Sequence, residues 1–276
     1  MKKKLTALVL LASLLFAATA CASDAEETSA ADTTTAAQQT TTAKQTTVLT
    51  PPIIELPKTD EGDNGDEDDW TDISEMFIPY GSATVDGVKD ESWANAATVS
   101  LDMTKKDSPN ADTYVEASAM WDENGLYFLF EITDSDIYTG GTLGDYNNDG
   151  IYLYVSEDPM AYWKSFEAFA GGTYQFALIA DGLEMIPRHG DTTVNLNAQT
   201  AYTRTETGMI IEFSYVPYHT PVAAGNFLLM DFQYNDCTSS GKRSGGIGWY
   251  NGTDNNSDTM LWAVVKLLAE GETAPN

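Results

Sequence analysis

The sequence predicts an all-β fold, an antiparallel β-sandwich of the jelly-roll kind, standing behind a disordered linker. Three observations predict it. Short runs of alternating apolar and polar residues recur along the last two hundred residues, aromatic residues are many, and the turns between the runs are rich in Gly, Asp and Asn. No segment carries an apolar stripe at helical spacing.

The chain opens with Lys2, Lys3 and Lys4, then an apolar run from Leu5 to Phe16, then Ala18, Thr19 and Ala20 before Cys21. This is the layout of a secretory signal, too short for a comfortable membrane span. A Cys directly after small residues resembles the bacterial lipobox, which implies a signal peptide over 1–20 and a diacylglycerol on the Cys21 sulfur. Two or more acyl chains hold a protein durably on a bilayer. The expected location is the extracellular face of a bacterial membrane.

Residues 21–69 are expected to form a linker: first Ala, Thr and Gln without apolar period, then Pro51, Pro52 and Pro57, then the acidic run TDEGDNGDEDD. Such a composition cannot bury a core. A flexible coil of that length averages roughly 40 Å end to end, so its role is a tether.

Residues 70–268 are expected to form one domain, followed by a tail over 269–276. Strand signals fall at Tyr114 to Trp121, Leu126 to Thr133, Ile151 to Ser156, Tyr174 to Ala180, Ala198 to Thr205, Met209 to Val216, Phe227 to Asn235 and Met260 to Leu268. Glu123-Asn124-Gly125 and Glu206-Thr207-Gly208 read as hairpin turns. The alternation assigns faces as well. Leu126, Phe128, Phe130 and Ile132 point one way, and Ile151, Leu153 and Val155 are expected in the core. Tyr152 and Tyr154 then turn outward or toward a cleft. Leu228, Met230, Phe232 and Tyr234 share a face, leaving Asp231, Gln233 and Asn235 as a polar row on the other. A sheet that simply faces water would also explain that row; so would a sugar cleft, where amides and carboxylates meet hydroxyls and aromatic rings pack on the pyranose face.

Charge narrows the partners. The linker holds 12 of the 42 acids, and signal plus linker hold 5 of the 14 bases, which leaves the domain and its tail together 30 acids against 9 bases. Such a surface repels nucleic acid and suits neutral ligands or divalent cations. Asp145, Asn147 and Asp149 before Gly150 match the first half of a calcium loop, although the twelfth position is Ser156 and a strand follows. Structural calcium is accordingly the expected cofactor. His189 and His219 are the only histidines, with no Cys cluster for zinc. Cys237 has no free partner if Cys21 is lipidated, so it is expected as a buried apolar thiol without a disulfide. The chain contains no G-x-S-x-G and no recognisable nucleophile and base pair, so no catalytic residue is assigned.

The order of Val85-Asp86-Gly87, Trp93, Trp121-Asp122, Leu126-Tyr127, the DGIYLYV strand, EFSYVP, and QYND followed by Arg243 and Trp249 resembles the family 9 carbohydrate-binding modules. That family sits beside xylanases and related secreted enzymes. The resemblance covers Thr84 to about Leu267 and implies a β-sandwich that binds a polysaccharide or oligosaccharide without cleaving it, in the service of polysaccharide catabolism. In the family a sugar's reducing end lies between two Trp rings, helped by a Glu, a Gln, an Arg and an Asn. Here Tyr146 stands where the first Trp belongs and Tyr152 in the Glu position. Ala177 and Ile179 occupy the strand that brings the Arg and Asn. The implied sugar-binding residues are Tyr146, Tyr152, Asp231, Gln233, Asn235, Arg243 and Trp249, in a monomer. Alternatives are a haem-binding relative of the same architecture, with Met120, Met185 or Met230 as ligand, and an adhesin without a small ligand.

Overall fold

The computed structural model describes residues 70–104, 109–141, 147–161, 169, 171–179, 186–189 (backbone only), 195–251 and 258–275. The expected signal and linker, with Cys21, lie outside them. So do Asp145 and Tyr146.

Among the described residues the regular elements are strands and short 3-10 turns, joined by loops. The strands are β1 (Ser74–Ile78), β2 (Ala97–Leu101), β3 (Met103–Thr104), β4 (Tyr114–Asp122), β5 (Gly125–Thr133), β6 (Gly150–Ser156), β7 (Thr173–Ile179), β8 (Ile186–His189), β9 (Gln199–Arg204), β10 (Gly208–Tyr215), β11 (Phe227–Cys237), β12 (Arg243–Gly248) and β13 (Ala263–Leu267). All eight expected strands are present within a few residues of their expected ends. Five further strands, β1, β2, β3, β8 and β12, are too short, too polar or too glycine-rich to show a period of two.

The strands form two sheets. The larger runs β1-β13-β11-β6-β7-β8, with β12 also on β11 and β3 on β12; the smaller runs β2-β4-β5-β10-β9. Only the β1–β13 pair is parallel among these ladders. The hairpin between β4 and β5 is fixed by Asp122, whose carboxylate accepts from the Asn124 amide at 2.8 Å and the Tyr127 hydroxyl at 3.0 Å. Gly125 follows with a φ of +146°, and a Cβ there would meet the Tyr215 carbonyl at 2.4 Å. Only glycine fits.

The inward residues of both sheets make one aromatic core. Phe128 meets Phe232 across the sandwich with ring centroids 6.2 Å apart, and Phe176 meets Phe213 at 5.2 Å. Burying each such ring contributes roughly 2–3 kcal/mol. The assigned faces agree with this core: Leu126, Phe128, Phe130, Ile132, Ile151, Leu153, Val155, Leu228, Met230, Phe232 and Tyr234 all belong to it.

Part of each outer face carries an apolar cluster too. On the smaller sheet, Trp93 packs on Met120 and Leu129. Glu212, fully buried in β10, accepts from the Gly87 amide at 2.7 Å, the Asp86 amide at 2.8 Å and the Trp93 indole at 2.8 Å. Gly87 has a φ of +84°, which a glycine adopts without strain. The spacing of Val85-Asp86-Gly87 to Trp93 is therefore explained by one carboxylate that anchors both turn and ring. On the larger sheet, Tyr152 and Tyr154 join Trp70, Ala177, Ile179, Leu229, Trp262 and Val264 in a second apolar cluster. The expectation that the two tyrosines turn outward or toward a cleft holds for direction, and the cluster leaves both wholly buried.

Candidate functional site

Strand register brings the polar row and its neighbours onto one face of the larger sheet. Asn235 pairs with Gly150 on one side and Gly246 on the other; Gln233 pairs with Tyr152 and Gly248; Asp231 pairs with Tyr154. One strand further, Gly150 pairs with Ile179, Tyr152 with Ala177 and Tyr154 with Gln175. Directly paired residues share a face, so this is a three-row lattice with strands ~4.8 Å apart.

Each polar member has a definite task. Gln233 donates from Nε2 to Asn235 Oδ1 at 2.6 Å, the contact expected of residues two apart on a strand. That bond fixes the Asn235 amide with its NH2 turned away from Gln233. Asn235 Nδ2 is buried and has no hydrogen-bond partner, an arrangement that costs about 1–3 kcal/mol unless a ligand meets it. Arg243 Nη2 and Asn235 Oδ1 lie 3.1 and 3.6 Å from where a Cβ on Gly246 would stand. The missing side chain is what lets guanidinium and amide crowd together. Arg243 is further held by a bond from Nε to the Gly245 carbonyl at 3.3 Å.

Asp231 works differently. Its carboxylate accepts from the backbone amides of Phe232 at 2.8 Å, Tyr250 at 3.0 Å and Asn251 at 3.2 Å. It pins the chain after β12. Trp249 lies on the opposite side of the sheet, against Phe232 in the inter-sheet core with centroids 5.4 Å apart. Of the expected sugar-binding residues, Tyr152, Gln233, Asn235 and Arg243 are thus brought together, while Asp231 borders them in a structural role and Trp249 is elsewhere. Trp262, which the sequence left unassigned to a site, lies against Tyr154 with ring centroids 5.5 Å apart and planes tilted by 44°, its own indole N–H buried and unpartnered.

A second constellation closes one end of the core. Oxygens of Asp134, Asp149 and Asp236, all buried, lie within 4.8 Å of one another. Asp149 accepts from the Tyr138 amide at 2.5 Å and from the Cys237 amide. Asp134 accepts from the Tyr234 hydroxyl at 2.8 Å and the Asp136 amide at 2.9 Å. Asp236 accepts from Asn110 N at 2.6 Å, Asn110 Nδ2 at 2.9 Å, Thr113 Oγ1 at 2.7 Å and Ser244 Oγ. Burial, more than the neighbouring charges, pushes the Asp149 carboxyl up to about 8 and raises Asp134 as well. Three hard oxygen donors without a cationic side chain in ion-pair contact suit a divalent ion such as calcium; the one ion pair among the described residues is Lys89 with Glu131.

This grouping differs from the expected loop. Asp149 belongs to it, Asn147 is exposed, and Asp145 lies outside the described residues. A signal for its other members was present: the inward series of β5 runs 126, 128, 130, 132 and next reaches Asp134, and that of β11 runs 228 to 234 and next reaches Asp236. Cys237 is a buried thiol in no disulfide, pushed up to about 12 chiefly by burial, as expected of an inert core cysteine. Met120 and Met230 both lie in apolar clusters.

The comparisons with known proteins agree with this architecture. Residues 85–270 match the carbohydrate family 9 binding domain-like family. Exoglucanase XynX of Acetivibrio thermocellus is 25% identical over 172 residues, covering 62% of this chain and 15% of that protein. Endo-1,4-beta-xylanase A of Thermoanaerobacterium saccharolyticum is 24% identical over 172 residues, covering 62% and 14%. The chain thus matches only about a seventh of each relative's length. Two solved structures of a carbohydrate binding module family 9 from Caldicellulosiruptor kristjanssonii, one with cellotriose and one with glucose, each superpose with a TM-score of 0.62 at 20% identity. They cover 73% and 72% of this chain, and 98% and 99% of their own. With the family's match spanning most of the chain, the protein belongs to the carbohydrate family 9 binding domain-like family.

Proposed function

We propose that the protein is a non-catalytic carbohydrate-binding lipoprotein, which captures a polysaccharide or oligosaccharide on the outer face of its larger sheet. The observation that carries this reading is Asn235: its Nδ2 is buried without a partner, oriented by Gln233 and crowded by Arg243. Vicinal hydroxyls satisfy that kind of donor and acceptor set. The family membership and the cellotriose and glucose held by the solved structures of similar fold support it.

The remaining parts of the proposal rest on the sequence. Cys21 carries the lipid anchor, residues 21–69 are the tether, and the folded domain works as a monomer outside the cell. No helix among the described residues is long and apolar enough to cross a membrane. A calcium ion held by Asp134, Asp149 and Asp236 would be structural, because these side chains continue the inward series of their strands while the polar row of Gln233 and Asn235 stands on the opposite face of the sheet.

Native gel electrophoresis through xylan, mixed-linkage β-glucan or hydroxyethylcellulose tests the binding. Retardation by at least one polymer, abolished in Asn235→Ala with the fold intact, is expected. Unretarded migration in all of them would remove the reading.

A further inference from the structure

We infer that Ser244, held by Asp236, is a positioning residue for the sugar: the β-bulge it makes in β12 brings Arg243 onto the binding face and sets its guanidinium beside Asn235. The inference rests on the binding face proposed above and adds the device that builds one side of it.

The strand register carries the first half of the inference. β12 pairs Gly246 with Asn235 and Gly245 with Asp236, and its next pair is Arg243 with Cys237. Ser244 is passed over, so Ser244 and Gly245 together oppose Asp236, which is a β-bulge. Counting back from Gly246, an unbulged strand would turn Ser244 toward the binding face and Arg243 toward the core. One extra residue reverses this. Arg243 takes the face of Cys237 and hence of Asn235, and its Nη2 comes within 3.1 Å of the place a Gly246 Cβ would occupy.

The hydroxyl of the extra residue holds the bulge from the opposite face. Ser244 Oγ donates to the Asp236 carboxylate and lies 3.0 Å from the Asp236 carbonyl oxygen. That carboxylate is fixed in turn by Asn110 N at 2.6 Å, Asn110 Nδ2 at 2.9 Å and Thr113 Oγ1 at 2.7 Å, all from the segment before β4. Asp236 is therefore a fixed point to which the bulge is tied, through a bond strengthened by the acceptor's charge. Arg243 Nε donates to the carbonyl of Gly245, the other bulged residue, at 3.3 Å, so a loosened bulge also loosens the guanidinium. A guanidinium held in place beforehand spares a complex the cost of ordering a long side chain.

Two measurements on Ser244→Ala and Ser244→Thr test this. The first needs no sugar: the chain has three arginines, Arg188, Arg204 and Arg243, so their Nε–H resonances are few, and Arg243→Lys assigns the one concerned. The second is affinity electrophoresis over a concentration series of xylan, mixed-linkage β-glucan and hydroxyethylcellulose, which gives a dissociation constant for each polymer that retards the wild type. Ser244→Ala is expected to shift the Arg243 resonance, to speed its exchange with water, and to weaken binding about five- to twentyfold. Ser244→Thr keeps the hydroxyl and is expected to keep the resonance and to bind within about twofold of the wild type. An unmoved Arg243 resonance in Ser244→Ala, or a moved one with unchanged affinity, would overturn the inference while leaving the binding face in place. Unretarded migration of the wild type in all three polymers would remove the face, and the inference with it.

Discussion

The carboxylate cluster makes a prediction whose sign is opposite to that of ordinary acid denaturation. Asp149 is raised from 3.8 to about 8, first by burial and then by the Asp134 and Asp236 charges. A carboxyl raised on folding contributes stability that is present below its unfolded value and lost as pH rises through its folded value. About four units at 1.36 kcal/mol each give on the order of 5 kcal/mol between pH 4 and pH 8. Asp134, also raised by burial, adds in the same direction. In EDTA, urea midpoints are therefore expected to fall steadily from pH 5 to pH 8. With calcium the carboxylates ionise onto the metal, the fall disappears, and the midpoint rises by the binding term, about 2.7 kcal/mol at a hundredfold excess over Kd. Asp149→Asn keeps one carbonyl acceptor for two amide donors and so costs about 1–3 kcal/mol, but it flattens the slope in EDTA. An unchanged slope in Asp149→Asn would refute the electrostatic reasoning. Coincident EDTA and calcium curves at every pH would refute the metal.

Other expectations concern the scaffold and the anchor. Glu212→Ala strands three donors, two of them fully buried, and is expected to cost about 3 kcal/mol or more, some 6–12 °C in Tm for a domain of this size. Gly208→Ala places a Cβ 1.8 Å from the Ile132 carbonyl oxygen, so β10 must part from β5 at its first pair. A loss of about 1–3 kcal/mol follows, read by thermal unfolding. Fatty-acid labelling in a bacterial host should mark the wild type and not Cys21→Ser, and the variant should leave the membrane fraction.

The strands were legible wherever one face is apolar and the other is not, because alternation is then imposed by burial. Phe128 and Phe130 against Tyr127 and Glu131 are such a case. Alternation reports a side, however, and not whether that side is wet. Tyr152 and Tyr154 have the direction expected of them, yet a second apolar cluster with Trp70 and Trp262 covers them, and those partners are distant in the chain. The same limit applies to Asp231. It sits in the polar row, but its carboxylate is taken up by amides about twenty residues away, a link no local pattern encodes. Gln233, Asn235 and Arg243 were legible through the QYND segment, and register explains their grouping through Gly246. Asp134 and Asp236 occupy positions that continue an apolar series. A charge at the next inward step of two strands is itself a readable sign of a polar plug at the core's end.

The central claim is that a glycan meets the orphaned amide of Asn235. Calorimetric titration of wild type and Asn235→Ala with the glycan that retards the protein in gels tests it most directly. The account predicts saturable binding by the wild type and at least about tenfold weaker binding by the variant, with unchanged circular dichroism. Equal affinity in the two proteins would contradict it.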